Sequence, residues 1–368
     1  MRSIAALFTF LFILLIGAGM AIFFVLPQLG GPGPLETQKD LVIARGNGAS
    51  TIARQLEKEG VISNRWMFRL RYALAGQPEL KAGEYLFNPH VSVQDTISMM
   101  AAGDVVIRKF TVAEGRTSSE IVEMLKKEPA LTGEIATIPA EGSLAPDTYR
   151  FVYGDARQSV IARMQKAMQE TVDVLWAQHD PTLPLKTQAE MVTLASIVEK
   201  ETGVPAERSR VAGVYINRLR QNMLLQSDPT VIYGITFGLQ PMGRPLAIAD
   251  LQKSSPYNTY LLPGLPPGPI ANPGKASLSA AANPEKHDFL YFVADGGGGH
   301  KFAVTIKEHE ANVAAWRKFQ KLEATPAIAP AAAQPGAVPP ATAAPAAVQP
   351  AAAPPAKAPV KKARRRRH

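Results

Sequence analysis

Residues 188–202 read Gln-Ala-Glu-Met-Val-Thr-Leu-Ala-Ser-Ile-Val-Glu-Lys-Glu-Thr, and this stretch has the pattern of one helix. Its apolar side chains recur at the spacing of a single helical face, which comprises Met191, Leu194, Ala195 and Val198. Gly203 and Pro205 then end the helix. At about 100° per residue, Glu199 falls on the margin of the apolar face and Glu201 on the opposite flank. The two glutamates therefore cannot easily share one site on a straight helix.

Glu199 is the candidate for acid–base chemistry in this helix. A carboxyl group half-buried against apolar side chains has a raised pKa and stays protonated near neutral pH, as a general acid requires. The alternative is a surface helix on which Glu199, Lys200 and Glu201 are solvated charges, and the spacing alone favours that alternative.

The residues that follow carry many amide and phenol side chains in loops rich in Gly and Pro. A second helix over residues 206–222 buries one face and leaves Asn217 off that face, where it could point toward a cleft. Rigid loops with amides and aromatic rings suit a sugar polymer, although Gly, Pro and Asn are also ordinary turn residues. The candidate binding residues here are Asn217, Gln226, Asp228, Tyr257, Asn258 and Tyr260. Asp228 could alternatively cap the turn at Pro229.

Upstream, two segments repeat at an offset of 69 residues. Ile43-Ala-Arg-Gly46 precedes Ile52 and Leu56, just as Val112-Ala-Glu-Gly115 precedes Ile121 and Leu125. Each segment predicts a short strand, a glycine turn and a helix N-capped by Ser50 or Ser118. The pattern predicts a small α+β module, which could be a spacer, a dimerising domain or a glycan-binding module.

The amino-terminal segment has the length and composition of a membrane anchor. Ile4 to Leu26 is a run of 23 residues without a charge, which suffices to cross a bilayer core of about 30 Å. A cleavable secretory signal is the alternative, but the run is long for one and no small-x-small cleavage site follows. Arg2 before the run weakly favours a cytoplasmic amino terminus, and residues 28–38 form a short spacer.

The positive charge of the chain is concentrated at its carboxyl end. The formal net charge is +9, and seven positive charges lie in the last twelve residues, so a basic surface for nucleic acid is not expected. Residues 324–360 contain 17 Ala and 10 Pro, which predicts a disordered tail. This basic tail could contact anionic lipids or acidic polymers, or it could simply be solvated.

The absence of cysteine excludes disulfides, thiolate catalysis and cysteine-ligated zinc.

Several motifs together resemble the YceG-like family of endolytic murein transglycosylases. The resemblance spans roughly residues 42–321 and rests on Ala195 to Thr202, Val214-Tyr-Ile-Asn217-Arg218-Leu219, Leu225-Gln226-Ser-Asp228-Pro229-Thr-Val-Ile-Tyr233-Gly234, Tyr257-Asn258-Thr259-Tyr260, Gly264-Leu-Pro-Pro-Gly268-Pro-Ile270, Asn272-Pro273-Gly274, Tyr291-Phe-Val-Ala-Asp295-Gly296 and Glu141 to Tyr149. It implies a membrane anchor, a LysM-like module and an α+β catalytic domain. The expected segments are an anchor at 1–27, a linker at 28–38, the module at 39–135, the catalytic domain at 136–323 and the tail at 324–368.

The resemblance also implies an activity: cleavage of the bond between N-acetylmuramic acid and N-acetylglucosamine within peptidoglycan strands. Glu199 would protonate the leaving oxygen, and the muramic 6-hydroxyl would then attack its own anomeric carbon to give a 1,6-anhydro end. No cofactor and no metal are implied. The expected partners are glycan strands, the membrane and peptidoglycan synthases. The expected location is the inner membrane, with the catalytic domain in the periplasm.

Three other functions remain open from the residues. A muramidase would use water, with Glu199 as acid and Asp228 as base. A cell-wall scaffold would bind glycan through the module without catalysis. A metal hydrolase would use His287, His300 and His309, but these lack close ligand spacing.

Overall fold

The computed structural model describes residues 30–323 and, before them, only residues 10, 12, 13, 15 and 16. Most of the predicted anchor, the start of the linker and the tail at 324–368 lie outside the described residues. Among the residues that are described, no helix is both long enough and apolar enough to cross a membrane.

The first unit combines a two-stranded antiparallel sheet with three helices. Strand β1 pairs with β2 so that Leu41 lies opposite Tyr85. Its elements are β1 (Lys39–Ile43), α1 (Ala49–Lys58), α2 (Arg65–Leu74), β2 (Gly83–Phe87) and α3 (Val93–Ala102). Helix α3 ends at Gly103, which adopts the left-handed conformation (φ 76°) that glycine accepts without a Cβ clash. One apolar cluster, which extends from Leu35 to Met100, joins these elements.

The second unit repeats the beginning of the first. Its elements are β3 (Arg108–Thr111), α4 (Ser118–Lys126) and β4 (Thr148–Phe151), and β3 pairs antiparallel with β4. The strand–glycine–helix arrangement recurs at the predicted offset, with left-handed glycines at Gly46 (φ 85°) and Gly115 (φ 73°). A second apolar cluster extends from Phe110 to Met164, so the domain boundary expected at residue 135 falls inside this cluster.

The predicted helix caps at Ser50 and Ser118 are wrong. Gly48 is the N-cap of α1 and makes no side-chain cap bond. Thr117 is the N-cap of α4, because its hydroxyl accepts a bond from the Glu120 amide while the Glu120 carboxylate accepts one from the Thr117 amide. This reciprocal capping box satisfies two amides at once, which a serine one residue later does not do.

The third unit is mainly helical. It contains α5 (Arg157–Ala177), α6 (Gln188–Glu201), α7 (Arg208–Arg220), α8 (Asp228–Thr236), α9 (Lys275–Ala282), a hairpin of β5 (Tyr291–Ala294) and β6 (His300–Ala303), and α10 (Ile306–Glu323). Together the described residues form a mixed α+β fold, mostly helical with three two-stranded sheets, which agrees with the predicted α+β class.

Helix α6 lies at the centre of the third unit. Eight consecutive residues, 191–198, are buried, and the helix packs against α5, α7, α8 and α9. The one-sided apolar stripe predicted from the spacing is therefore too narrow, because neighbours surround this helix rather than cover one face. Only the two ends of the helix, residues 188–190 and 199–201, lie outside this buried stretch.

Candidate active site

Glu199 and Glu201, in the last turn of α6, have different surroundings. The helix ends where Thr202 takes an extended conformation and its hydroxyl accepts a bond from the Val204 amide. Glu201 faces α7 and the loop before α8, whereas Glu199 faces the start of α9. The predicted separation of the two side chains is thus observed.

Glu201 lies against two hydroxyl groups. Its Oε1 accepts hydrogen bonds from the Tyr215 hydroxyl (2.8 Å) and the Ser227 hydroxyl (2.5 Å). Among the described residues, none donates to its Oε2. Burial raises the pKa of Glu201, and the charge of nearby Asp228 raises it further, although the two hydroxyl donors act in the opposite direction. The site therefore favours a protonated carboxyl.

An open cavity of about 570 Å³ lies in front of Glu201. Helices α6, α7 and α10, the loop before α8 and strand β5 supply its walls. The residues that line it are Glu201, Tyr215, Arg218, Leu225, Gln226, Asp228, Tyr260, Phe292, Val293, His309, Val313 and Arg317. Such a mixture of rings and polar groups suits a sugar ligand better than a purely apolar one.

Arg218 places a cation in the wall of this cavity. The residue is only 7 % exposed, and its guanidinium donates to the backbone carbonyls of Leu290 (2.7 Å) and Leu225 (2.8 Å). It lies 5.3 Å from the centre of the Tyr291 ring. Among the described residues no carboxylate forms an ion pair with it, and the nearby Glu201 charge acts to raise the pKa of Arg218 against the lowering effect of burial.

Asp228 and Tyr260 form a second polar pair in the cavity. The Tyr260 hydroxyl donates to Asp228 Oδ1 at 2.6 Å, and burial together with this carboxylate raises the pKa of Tyr260. Asn258 holds the pair in place, because its Oδ1 accepts from the Tyr260 amide at 2.9 Å. Asp228 begins helix α8, but its side chain bonds to Tyr260 and makes no cap on the turn. The alternative of a turn cap at Pro229 is therefore not observed.

Glu199 lies elsewhere. Its Oε2 accepts from the Gly274 amide at 2.9 Å, at the N-terminus of α9, and its Oε1 lies 3.7 Å from Arg208 Nη2. Glu114 approaches the same arginine at 3.5 Å, and burial and the charge of Glu199 raise the pKa of Glu114. Glu199 does not line the cavity that contains Asp228 and Tyr260.

The six predicted binding residues divide into two groups. Gln226, Asp228 and Tyr260 line the Glu201 cavity. The other three do not. Asn217 donates to the carbonyls of His287 (2.7 Å) and Phe289 (3.1 Å), buried Asn258 donates to two carbonyls of the preceding loop, and Tyr257 packs against Tyr233 with ring centres 4.9 Å apart.

Three polar residues at the Glu201 site were not predicted from the sequence as site residues: Tyr215 and Arg218, which line the cavity, and Ser227, which donates to Glu201. Tyr215 lies on the buried face of its helix and is 2 % exposed, but its hydroxyl reaches Glu201. Ser227 stands beside Asp228 in the sequence, and this adjacency was the one available signal.

The histidines weighed as metal ligands have separate partners. His287 Nε2 lies 2.9 Å from the Arg210 carbonyl, His300 Nδ1 lies 2.7 Å from Glu207, and His309 stacks on Tyr291. Within residues 30–323, no group of three metal-ligating side chains comes together.

Comparison with known proteins supplies the family. The sequence model of the YceG-like family matches residues 41–315. An endolytic murein transglycosylase of Bacillus subtilis is 31% identical over 306 residues, which cover 74% of this chain and 83% of the relative. One of the same name from Streptococcus pneumoniae is 28% identical, and the match covers 74% of this chain but 57% of that longer protein. A crystal structure of a yceG-like protein from Listeria monocytogenes aligns with a TM-score of 0.46 at 30% identity, over 75% of this chain and 99% of the other. The chain belongs to the YceG-like family.

Proposed function

We propose that this protein is an endolytic lytic transglycosylase that cleaves the bond between N-acetylmuramic acid and N-acetylglucosamine inside peptidoglycan strands. The names of its relatives support the reaction class. The observation that carries the proposal for this chain is the Glu201 carboxyl, whose pKa burial raises and which faces a cavity lined with rings and polar groups.

Glu201 replaces Glu199 in this proposal as the general acid. A proton donor needs a raised pKa and an open path to the leaving oxygen. Glu201 has both, whereas Glu199 is occupied by the Gly274 amide and by Arg208. Burial alone does not separate the two glutamates, because the Glu199 side chain is only 6 % exposed, but the open cavity lies in front of Glu201.

The first step transfers the proton of Glu201 to the glycosidic oxygen, and the bond from that oxygen to the anomeric carbon breaks. Because Tyr215 and Ser227 both occupy Oε1, the proton is carried by Oε2, which accepts from no donor within residues 30–323. The sugar left behind has oxocarbenium character. Asp228 supplies a negative charge to that ring, and Arg218 stabilises the new carboxylate on Glu201.

In the second step, the 6-hydroxyl of the same muramic residue attacks its anomeric carbon, and its proton returns to Glu201. The carboxyl group is thereby regenerated, and no water is consumed. The attacking hydroxyl belongs to the substrate, so its position is set by the sugar itself and no second carboxylate is needed to activate it. The product is a 1,6-anhydro end.

The rival reaction is hydrolysis, in which Asp228 activates a water molecule and Glu201 is the acid. Digestion of purified peptidoglycan with the protein, followed by mass spectrometry, separates the two. Transglycosylase products lack one water relative to reducing ends, and a digest with reducing ends alone would overturn the proposal. A scaffold without activity would give no new ends while still binding glycan.

The sequence supports a proposed place of action. The uncharged run at 4–26 anchors the chain in the inner membrane with its amino terminus in the cytoplasm, and the remainder lies in the periplasm. The module after the linker is LysM-like and binds glycan. A tethered enzyme meets strands as peptidoglycan synthases make them, so it limits the length of nascent strands.

A further inference from the structure

Helix α2 (Arg65–Leu74) exposes an unusual outer face. Its inner side contributes Phe68 to the first apolar cluster. Six residues are exposed on the side away from that cluster, at the spacing of one continuous helical face: Arg65, Trp66, Arg69, Leu70, Ala73 and Leu74. A helix that packs one face on a core normally turns polar residues outward, so this outer face needs its own explanation.

The outer face is both apolar and cationic. Trp66 is 61 % exposed, Leu70 43 % and Leu74 59 %. The helix contains no acidic residue. The Arg69 guanidinium lies 5.0 Å from the centre of the Trp66 ring and has no carboxylate partner among the described residues, while Arg65 has only a long contact of 3.7 Å to Glu57.

We propose that this face of α2 lies on the surface of an anionic lipid bilayer. Trp and Leu side chains enter the boundary between headgroups and acyl chains, and arginine side chains reach outward to lipid phosphates. An anionic leaflet supplies the negative charge that this face lacks. A sugar platform would present amide or carboxylate side chains beside the ring, and none of the six exposed residues of this face carries one.

The chain keeps the helix within reach of that surface. The uncharged run at 4–26 ends twelve residues before strand β1, which belongs to the same unit as α2. Twelve extended residues span at most about 40 Å. The module is therefore held at high local concentration beside the bilayer, and a patch of three apolar side chains and two cations is sufficient to orient it.

The absence of cysteine in the chain allows a direct test. The full-length protein with Leu70→Cys is labelled with a nitroxide and placed in nanodiscs that contain phosphatidylglycerol. Ser98→Cys, on the exposed side of helix α3 in the same unit, is the matched control. Collision of each label with oxygen and with a nickel chelate is read by electron paramagnetic resonance.

The label at residue 70 should become accessible to oxygen and protected from nickel, while the label at 98 stays aqueous. The protection should be lost in phosphatidylcholine discs and in the Arg65→Gln/Arg69→Gln background. An aqueous reading at 70 in anionic discs would overturn the proposal. Protection from both reagents would assign the face to a protein contact, and protection that appears only with added glycan strands would assign it to glycan.

Discussion

Glu199 and Glu201 are two residues apart on helix α6, yet their carboxylates share no partner in the part of the chain that the structure describes. Glu201 accepts from the hydroxyls of Tyr215 and Ser227, whereas Glu199 accepts from the backbone amide of Gly274. This arrangement assigns them different tasks. Glu201 stands at the open cavity, and Glu199 joins α6 to the start of α9.

Exchange of each glutamate for glutamine is therefore expected to give opposite results. Glu201→Gln removes the transferable proton and should lower the rate of strand cleavage by about 10²–10⁴-fold. Glu199→Gln keeps an oxygen for the Gly274 amide and should leave the rate within a few-fold of the native protein. Release of anhydro-muropeptides, measured by chromatography and mass spectrometry, reads out both variants.

Each variant serves as the control for the other, because both are isosteric changes on the same helical turn. Melting temperatures close to that of the native protein are needed for both. Full activity in Glu201→Gln together with none in Glu199→Gln would contradict this assignment and identify Glu199, the candidate from the sequence, as the general acid.

The Tyr215 hydroxyl is expected to set the pH range of activity. It donates to the Glu201 carboxylate and so favours the charged form, which lowers the pKa that burial has raised. The rate requires protonated Glu201 and falls as pH rises through that pKa. Tyr215→Phe removes one donor, so the pKa should rise further and the falling limb should move to higher pH by about one unit.

Tyr149→Phe is the matched control, because the Tyr149 hydroxyl donates to the Ala145 carbonyl and does not line the cavity. Its pH profile should coincide with that of the native protein. If Tyr215 had only a structural role, Tyr215→Phe would change the maximum rate but would leave the pH of the falling limb unchanged.

Asp228 is expected to act on the substrate. Asp228→Asn keeps the acceptor for Tyr260 but removes the negative charge facing the sugar, so the rate should fall by about 10²-fold. The loss of charge at the first residue of α8 should cost less than about 1 kcal/mol of stability. Turnover and thermal unfolding measured on the same sample distinguish the two effects, and a destabilised variant with undiminished turnover would point to a structural role instead.

The sequence was sufficient to predict helix α6 and to predict that its two glutamates point in different directions, because both predictions follow from helical geometry. It could not choose between Glu199 and Glu201, because neighbours surround α6 and the groups that face the two glutamates come from elements 14, 26 and 75 residues away. The same limit explains Asn217, whereas the carbonyls that Asn258 satisfies lie only 5 and 7 residues away. Both amides are bound to backbone carbonyls, and for Asn217 these lie 70 and 72 residues away. The local sequence around an asparagine that bonds to such a carbonyl is no different from that around an asparagine that binds a sugar.

Asn272 is expected to be essential for stability. It is fully buried, its Oδ1 accepts from the Leu144 amide, and its Nδ2 contacts the Arg116 carbonyl, Ser118 and Glu141. These bonds join the second unit to the third. Asn272→Ala leaves several buried groups without partners and should lower the free energy of unfolding by about 3 kcal/mol.

The exposed Asn283 makes a single bond of 3.3 Å to the Gln178 carbonyl, so Asn283→Ala should change the free energy of unfolding by less than about 0.5 kcal/mol. Chemical denaturation of both variants gives the comparison. Equal effects would mean that the Asn272 contacts contribute no more than a surface hydrogen bond.

The spacer at residues 28–38 is expected to set how far from the bilayer the protein cuts. If the chain is anchored through residues 4–26, the reach of the Glu201 cavity is limited by this spacer, and each inserted residue adds at most about 3.6 Å. Insertion of a flexible Gly/Ser segment should therefore lengthen the glycan strands found in cells. Strand lengths are measured by chromatography after the peptides are removed. The same insertion combined with Glu201→Gln should give the strand lengths of the Glu201→Gln protein alone, because reach matters only where cleavage occurs. Unchanged lengths with a fully active enzyme would mean that something other than the tether determines the cutting distance.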